Sequence, residues 1–128
     1  MSRIVSSSGP IGTGIPRNIV SPGSQRKGTV VIQASNSAAN VGVTVTSILA
    51  GNNRRAYLFL QNRGIQNVFI TFGNQPTNSG GNFPGAILIP PNGFYEPLYV
   101  PVDTIYAVAA AGTNLVAIVQ GVFNKVYL

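Results

Sequence analysis

Two carboxylates, Glu96 and Asp103, are all that this 128-residue chain offers for acid–base work, and it contains neither histidine nor cysteine. Both acids flank one short segment, Glu96 after Asn92-Gly93-Phe94-Tyr95 and Asp103 after Pro101-Val102. A carboxylate pair held a few ångströms apart is the apparatus of glycoside cleavage, one group as acid and the other as nucleophile or base. Nothing else in the chain completes such a site. Each acid is therefore expected to accept from turn N–H groups or to pair with Arg54, Arg55 or Arg63. Lacking His and Cys, the chain has no Ser-His-Asp triad, thiol nucleophile, zinc finger, haem ligand or disulfide. No catalytic residue, metal site or cofactor is expected, and the reading is of a protein that is not an enzyme.

Gly9-Pro10-Ile11-Gly12-Thr13-Gly14 is glycine-rich enough to raise a phosphate loop. A Walker loop needs Gly-Lys followed by Ser or Thr, which never occurs here, and Arg17 stands where a dinucleotide fingerprint needs its third glycine. The aromatics Tyr57, Phe59, Phe69, Phe72, Phe94, Tyr95, Tyr99 and Tyr106 could form a sugar platform. Tryptophan is absent and acids are scarce, so packing in the core is the expected role for most of them. A glycan site on the loop 73–84 is the remaining version of that idea.

The elements that would position any such site divide into an arm and a body. Residues 1–27 carry three prolines and four glycines, hold no helical or strand period, and are expected to be extended or disordered alone. Their apolar residues stand singly or in pairs: Ile4, Val5, Ile11, Ile15, Ile19 and Val20. Arg3, Arg17, Arg26 and Lys27 supply four of the chain's eight basic residues, with no acidic residue among them. Nucleic-acid arms are denser in charge and interleave aromatics, so a protein surface is the favoured partner, with arginines meeting carboxylates and Ile/Val filling grooves.

From residue 28 to 128 the pattern is strand and turn. Val30, Ile32 and Ala34 alternate with polar or opposite-face residues, and Val41, Val43 and Val45 alternate with Gly42, Thr44 and Thr46. Residues 54–62 make the strongest strand, with Ala56, Leu58 and Leu60 on one face and Tyr57, Phe59 and Gln61 on the other. Asn62-Arg63-Gly64 turns the chain and residues 67–72 return it. After the loop 73–84, residues 86–89 form a short strand, Asn92-Gly93 gives a hairpin-type turn signal, and residues 94–100 run extended around Pro97. Strands at 104–109 and 115–122 follow, with a short terminal strand at 125–128. Residues 104–123 are long and apolar enough to mimic a membrane helix, but Gly112-Thr113-Asn114 divides them into two strands. The expected fold is all-β: an antiparallel β-sandwich or jelly roll of about eight strands with an extended N-terminal arm.

Charged residues are 8% of the chain, far below the ~25% of ordinary soluble domains. A surface of Asn, Ser, Thr and Gly repels neighbours weakly, which suits a protein covered by others in an assembly. No apolar run of signal-peptide length opens the sequence.

Residues 54–62 (RRAYLFLQN), 68–73 (VFITFG), 87–96 (ILIPPNGFYE) and 105–121 (IYAVAAAGTNLVAIVQG) together resemble small β-sandwich structural proteins of tailed bacteriophages, of the head decoration or cement type. The resemblance spans residues 54–121 and leaves the arm unmatched. It implies a virion protein on the capsid exterior, assembled in the host cytoplasm, with the major capsid protein as partner and a dimer or trimer on the lattice. The arm, through Arg3, Ile4, Val5, Ile11, Ile15, Arg17, Ile19, Val20, Arg26 and Lys27, would grip adjacent capsid subunits. Alternatives are a neck, collar or tail component anchored by its arm, or a glycan-binding host-attachment module.

Overall fold

The computed structural model describes residues 28–127, with the backbone alone for 126 and 127. Within them lie eight strands and no helix: β1 (Gly28–Val41), β2 (Thr46–Leu49), β3 (Arg55–Asn62), β4 (Val68–Phe72), β5 (Ile87–Ile89), β6 (Phe94–Tyr95), β7 (Ile105–Ala109) and β8 (Asn114–Tyr127). They form two four-stranded sheets, in the orders β1-β8-β3-β6 and β2-β7-β4-β5. Apart from the pair β4–β5, consecutive strands lie in different sheets. This alternation is the jelly roll, two Greek keys folded over one another. The expected fold class is the one observed. Residues 30–126 make one compact unit.

Alternation in the sequence explains the inner faces. β3 and β8 run antiparallel, with Leu60 opposite Ile118 and Asn62 opposite Val116. β4 and β7 set Val68 against Ala109 and Ile70 against Ala107. Leu58, Leu60, Val116 and Ile118 from one sheet meet Val68, Ile70, Ile89, Ile105 and Ala107 from the other, in a core made of aliphatic side chains. Fully burying each large one is worth roughly 1.5–3 kcal/mol.

Several expectations are corrected. Residues 41–46 are not one strand: β1 ends at Val41, and 42–45 bend to carry the chain into the second sheet. The turn at 62–64 likewise leads to the opposite sheet instead of folding β4 back along β3. Asn92-Gly93 is a corner between β5 and β6, again in different sheets, with Asn92 in the left-handed region at φ 64°. Turn chemistry reports a change of direction, not whether the next strand pairs with the last. Of residues 94–100 only Phe94–Tyr95 pair as strand, because Pro97 has no N–H to give. The separate terminal strand is the end of β8. A bulge between Arg55 and Tyr57 breaks the alternation of β3, so Ala56 is half-buried and Arg55 is buried instead.

Candidate functional site

Asn62 and Asn114 close one end of the sandwich, both fully buried. Asn62 donates from Nδ2 to Gln66 O (2.6 Å) and Ile89 O (3.0 Å) and accepts from Gly64 N at 2.9 Å. Asn114 Oδ1 accepts from Ile65 N (3.1 Å) and Gln66 N (3.0 Å), while its Nδ2 donates to Ala111 O at 3.0 Å. Gly64 lies so close that a Cβ there would sit 2.1 Å from Asn114 Oδ1. Only glycine fits.

Arg55 closes the other end and is 3% exposed. It donates to Ala50 O (2.7 Å), Pro101 O (2.8 Å), Asp103 O (3.1 Å) and Gln120 Oε1 (3.0 Å). Burial pushes its pKa down and the Asp103 charge pulls it back up. The guanidinium stays charged and ties three loop carbonyls to β8.

The aromatics depart from expectation. Phe69 is buried, its ring tilted by 45° against Phe83 with centroids 5.0 Å apart, and Phe72 packs on Tyr95 at 5.7 Å beside the core. Tyr57, Phe59 and Phe94 instead lie on the outer face of the β1-β8-β3-β6 sheet. Phe59 stacks on Phe94 with centroids 5.5 Å apart and stands opposite Val119 on β8. Tyr57 stands opposite Gly121, and Ile32 of β1 lies over that glycine, where a Cβ would be 2.4 Å from Ile32 Cγ2. Along the same faces of their strands, Val30, Leu115 and Phe123 are exposed as well. The five side chains Val30, Ile32, Phe94, Leu115 and Phe123, each 45–62% exposed, present roughly 500 Å², the size of the largest apolar patches on monomeric proteins. Alternation on β3 and β8 was the signal for this face, since one half of each strand had to point away from the core.

Glu96 and Asp103 do not act as a pair. Glu96 Oε2 accepts from the Tyr57 hydroxyl at 2.5 Å, whereas Asp103 faces the Arg55 cluster. The Tyr57 pKa is raised, first by this hydrogen bond, then by burial and the carboxylate charge. Beside this contact is a cleft of about 390 Å³ lined by Ala56, Tyr57, Glu96, Pro97, Leu98 and Val100. Leu98 and Tyr99 project from its rim, each 87% exposed. A second cleft of about 330 Å³ lies under the loop 73–86, where Asn74, Gln75, Thr77 and Thr71 give it a neutral polar lining. Among the described residues, no three His, Cys, Asp or Glu side chains cluster, and no helix is long and apolar enough to cross a membrane. The arm residues Arg3, Ile4, Val5, Ile11, Ile15, Arg17, Ile19, Val20, Arg26 and Lys27 lie outside the described residues.

No family model and no curated protein matches the chain. Among solved structures, one described as "Bacillus endospore appendages form a novel family of disulfide-linked pili" is 17% identical. The match covers 82% of this chain and 97% of that one, with a TM-score of 0.49.

Proposed function

We propose that the chain is a non-enzymatic structural subunit, a decoration protein that binds the outer surface of a tailed-phage head and reinforces it. The observation that carries this reading is the exposed apolar face of the β1-β8-β3-β6 sheet. Covering roughly 500 Å² of it would contribute on the order of 12 kcal/mol before costs. Association itself costs about 4–15 kcal/mol. The face alone therefore gives weak binding, and a lattice partner plus a second attachment is needed. The N-terminal residues would supply one: their basic side chains and spaced Ile/Val suit a protein surface, and a 27-residue segment, if fully extended, would span up to ~90 Å. Repetition over a lattice multiplies such contacts. The low charge of the chain and the phage-type resemblance of residues 54–121 agree with this.

Quantitative mass spectrometry of purified virions tests it. Hundreds of copies per particle support head decoration, a dozen or fewer move the protein to neck or tail, and none removes the virion reading. Deleting residues 2–27 should leave a folded body that no longer binds capsids.

The polar cleft under residues 73–86 favours one alternative, a glycan-binding attachment module. Glycan-array binding that is lost on replacing residues 74–77 would establish that reading instead.

A further inference from the structure

We propose that the cleft between Tyr57 and residues 96–100 is a receptor for the side chain of an arginine or lysine, presented on an extended segment of a protein partner. This goes beyond the decoration reading and does not depend on it. Its walls are aliphatic or aromatic: Ala56, Pro97, Leu98, Val100 and the Tyr57 ring. Its one charged group is Glu96. Of that carboxylate, Oε2 is engaged by Tyr57, and Tyr57 is the only partner Glu96 has among the described residues. Oε1 is left to accept.

Chemistry narrows the ligand. An anion would meet a carboxylate and a hydroxyl already donated. A purely apolar group would strip water from Glu96 and return nothing. A neutral sugar asks for several convergent polar groups, and this cleft has one pair. An aliphatic stem ending in a cation satisfies every wall at once: the stem on Pro97, Leu98 and Val100, the head on Glu96 Oε1 and over the Tyr57 ring.

Charge points the same way. Glu96 is one of two acids in a chain with eight basic residues, yet among the described residues its one hydrogen-bond partner is the neutral Tyr57 hydroxyl. Arg54 gives its Nε to Phe123 O, and Arg55 is spent on carbonyls and Gln120. Pro97 and Pro101 stiffen the segment between them. Leu98 and Tyr99 then form an apolar rim for residues on either side of the bound cation, which favours a peptide over a free amino acid.

The test is a ¹⁵N-¹H NMR titration of the full chain with the peptide Ac-Gly-Arg-Gly-NH₂ and its isosteric, uncharged citrulline analogue. The arginine peptide should move the amide signals of Ala56, Tyr57, Glu96, Leu98 and Val100 saturably, with affinity falling as salt rises. Citrulline should bind about three- to tenfold more weakly, and Glu96→Gln should remove that difference while the rest of the spectrum is unchanged. Tyr57→Phe, which keeps the ring and frees Glu96 Oε2, should retain the preference for arginine. Equal binding of the two peptides, shifts confined to other regions, or no shifts in the millimolar range would overturn the proposal.

Discussion

Replacing the fully buried Asn114 by alanine should destabilise the body far more than truncating an exposed side chain of its size. The asparagine serves three main-chain groups at once: Oδ1 takes the N–H groups of Ile65 and Gln66, and Nδ2 gives to Ala111 O. Each buried group left without a partner costs about 1–3 kcal/mol. Residues 65–66 are partly open to water, so the lower part of that range applies, and the total comes to ~2–4 kcal/mol. Against a total stability of about 5–15 kcal/mol this is a large fraction. Urea unfolding followed by circular dichroism would read it as a lower midpoint at unchanged slope. Thr113→Ala, one residue away and exposed, should stay within about 0.5 kcal/mol of the parent. A loss of under about 0.5 kcal/mol for Asn114→Ala would refute the reasoning, because it would mean that water satisfies all three groups as well as the side chain does.

Arg55→Met should cost about 2–4 kcal/mol in the same assay, since the carbonyls of Ala50, Pro101 and Asp103 lose a charged donor; Arg55→Lys, with fewer donors in the wrong geometry, should recover only part of it. Gly121→Ala should displace Ile32, whose Cγ2 would lie 2.4 Å from the new Cβ, with a cost of ~1–3 kcal/mol and a local change in the NMR signals of Ile32 and Tyr57. Tyr57 and Tyr95 both titrate above the ordinary 10.0, Tyr57 through Glu96 and Tyr95 through burial. Their protonated forms are the ones that the fold favours, so this contribution is complete below pH ~10 and is lost as pH rises through the elevated values. Ultraviolet titration at high pH checks this, and Glu96→Gln should bring Tyr57 down.

The inner face of the β1-β8-β3-β6 sheet was legible because Leu58 and Leu60 on β3, like Val116 and Ile118 on β8, sit at every second position, and a period of two leaves no choice of face. Asn62 and Asn114 occupy the next inward positions of the same two strands and are fully buried, but their residue type pointed only to turns. Arg55 could not be read in this way. Its burial follows from a bulge, one extra residue in β3, and from carbonyls of residues 50, 101 and 103 that come together only in three dimensions. The partner of Glu96 escaped for the same reason: Tyr57 is 39 residues away in the chain and meets it across the β3–β6 edge. The crossovers at 42–45, 62–64 and 90–93 were visible as turns but not as changes of sheet, since local residues set the angle of a bend while the distant strand sets the partner.

The place of β8 in its sheet governs how the body must fold. This strand lies between β1 and β3, yet it is the last of the described strands to be synthesised. Until residues 114–127 arrive, β1 has no neighbour in its sheet, and β3 has only the two-residue β6. Most of the loop-closure entropy is therefore paid at the end, in contacts that span tens of residues, and folding belongs in the slow millisecond-to-second class of all-β domains. A ribosome-bound chain halted before Asn114 would expose two unpaired strand edges together with the apolar inner face. Nascent copies made side by side on one message could then exchange their eighth strands, and the spacing of ribosomes along that message would influence how much correctly closed monomer is released.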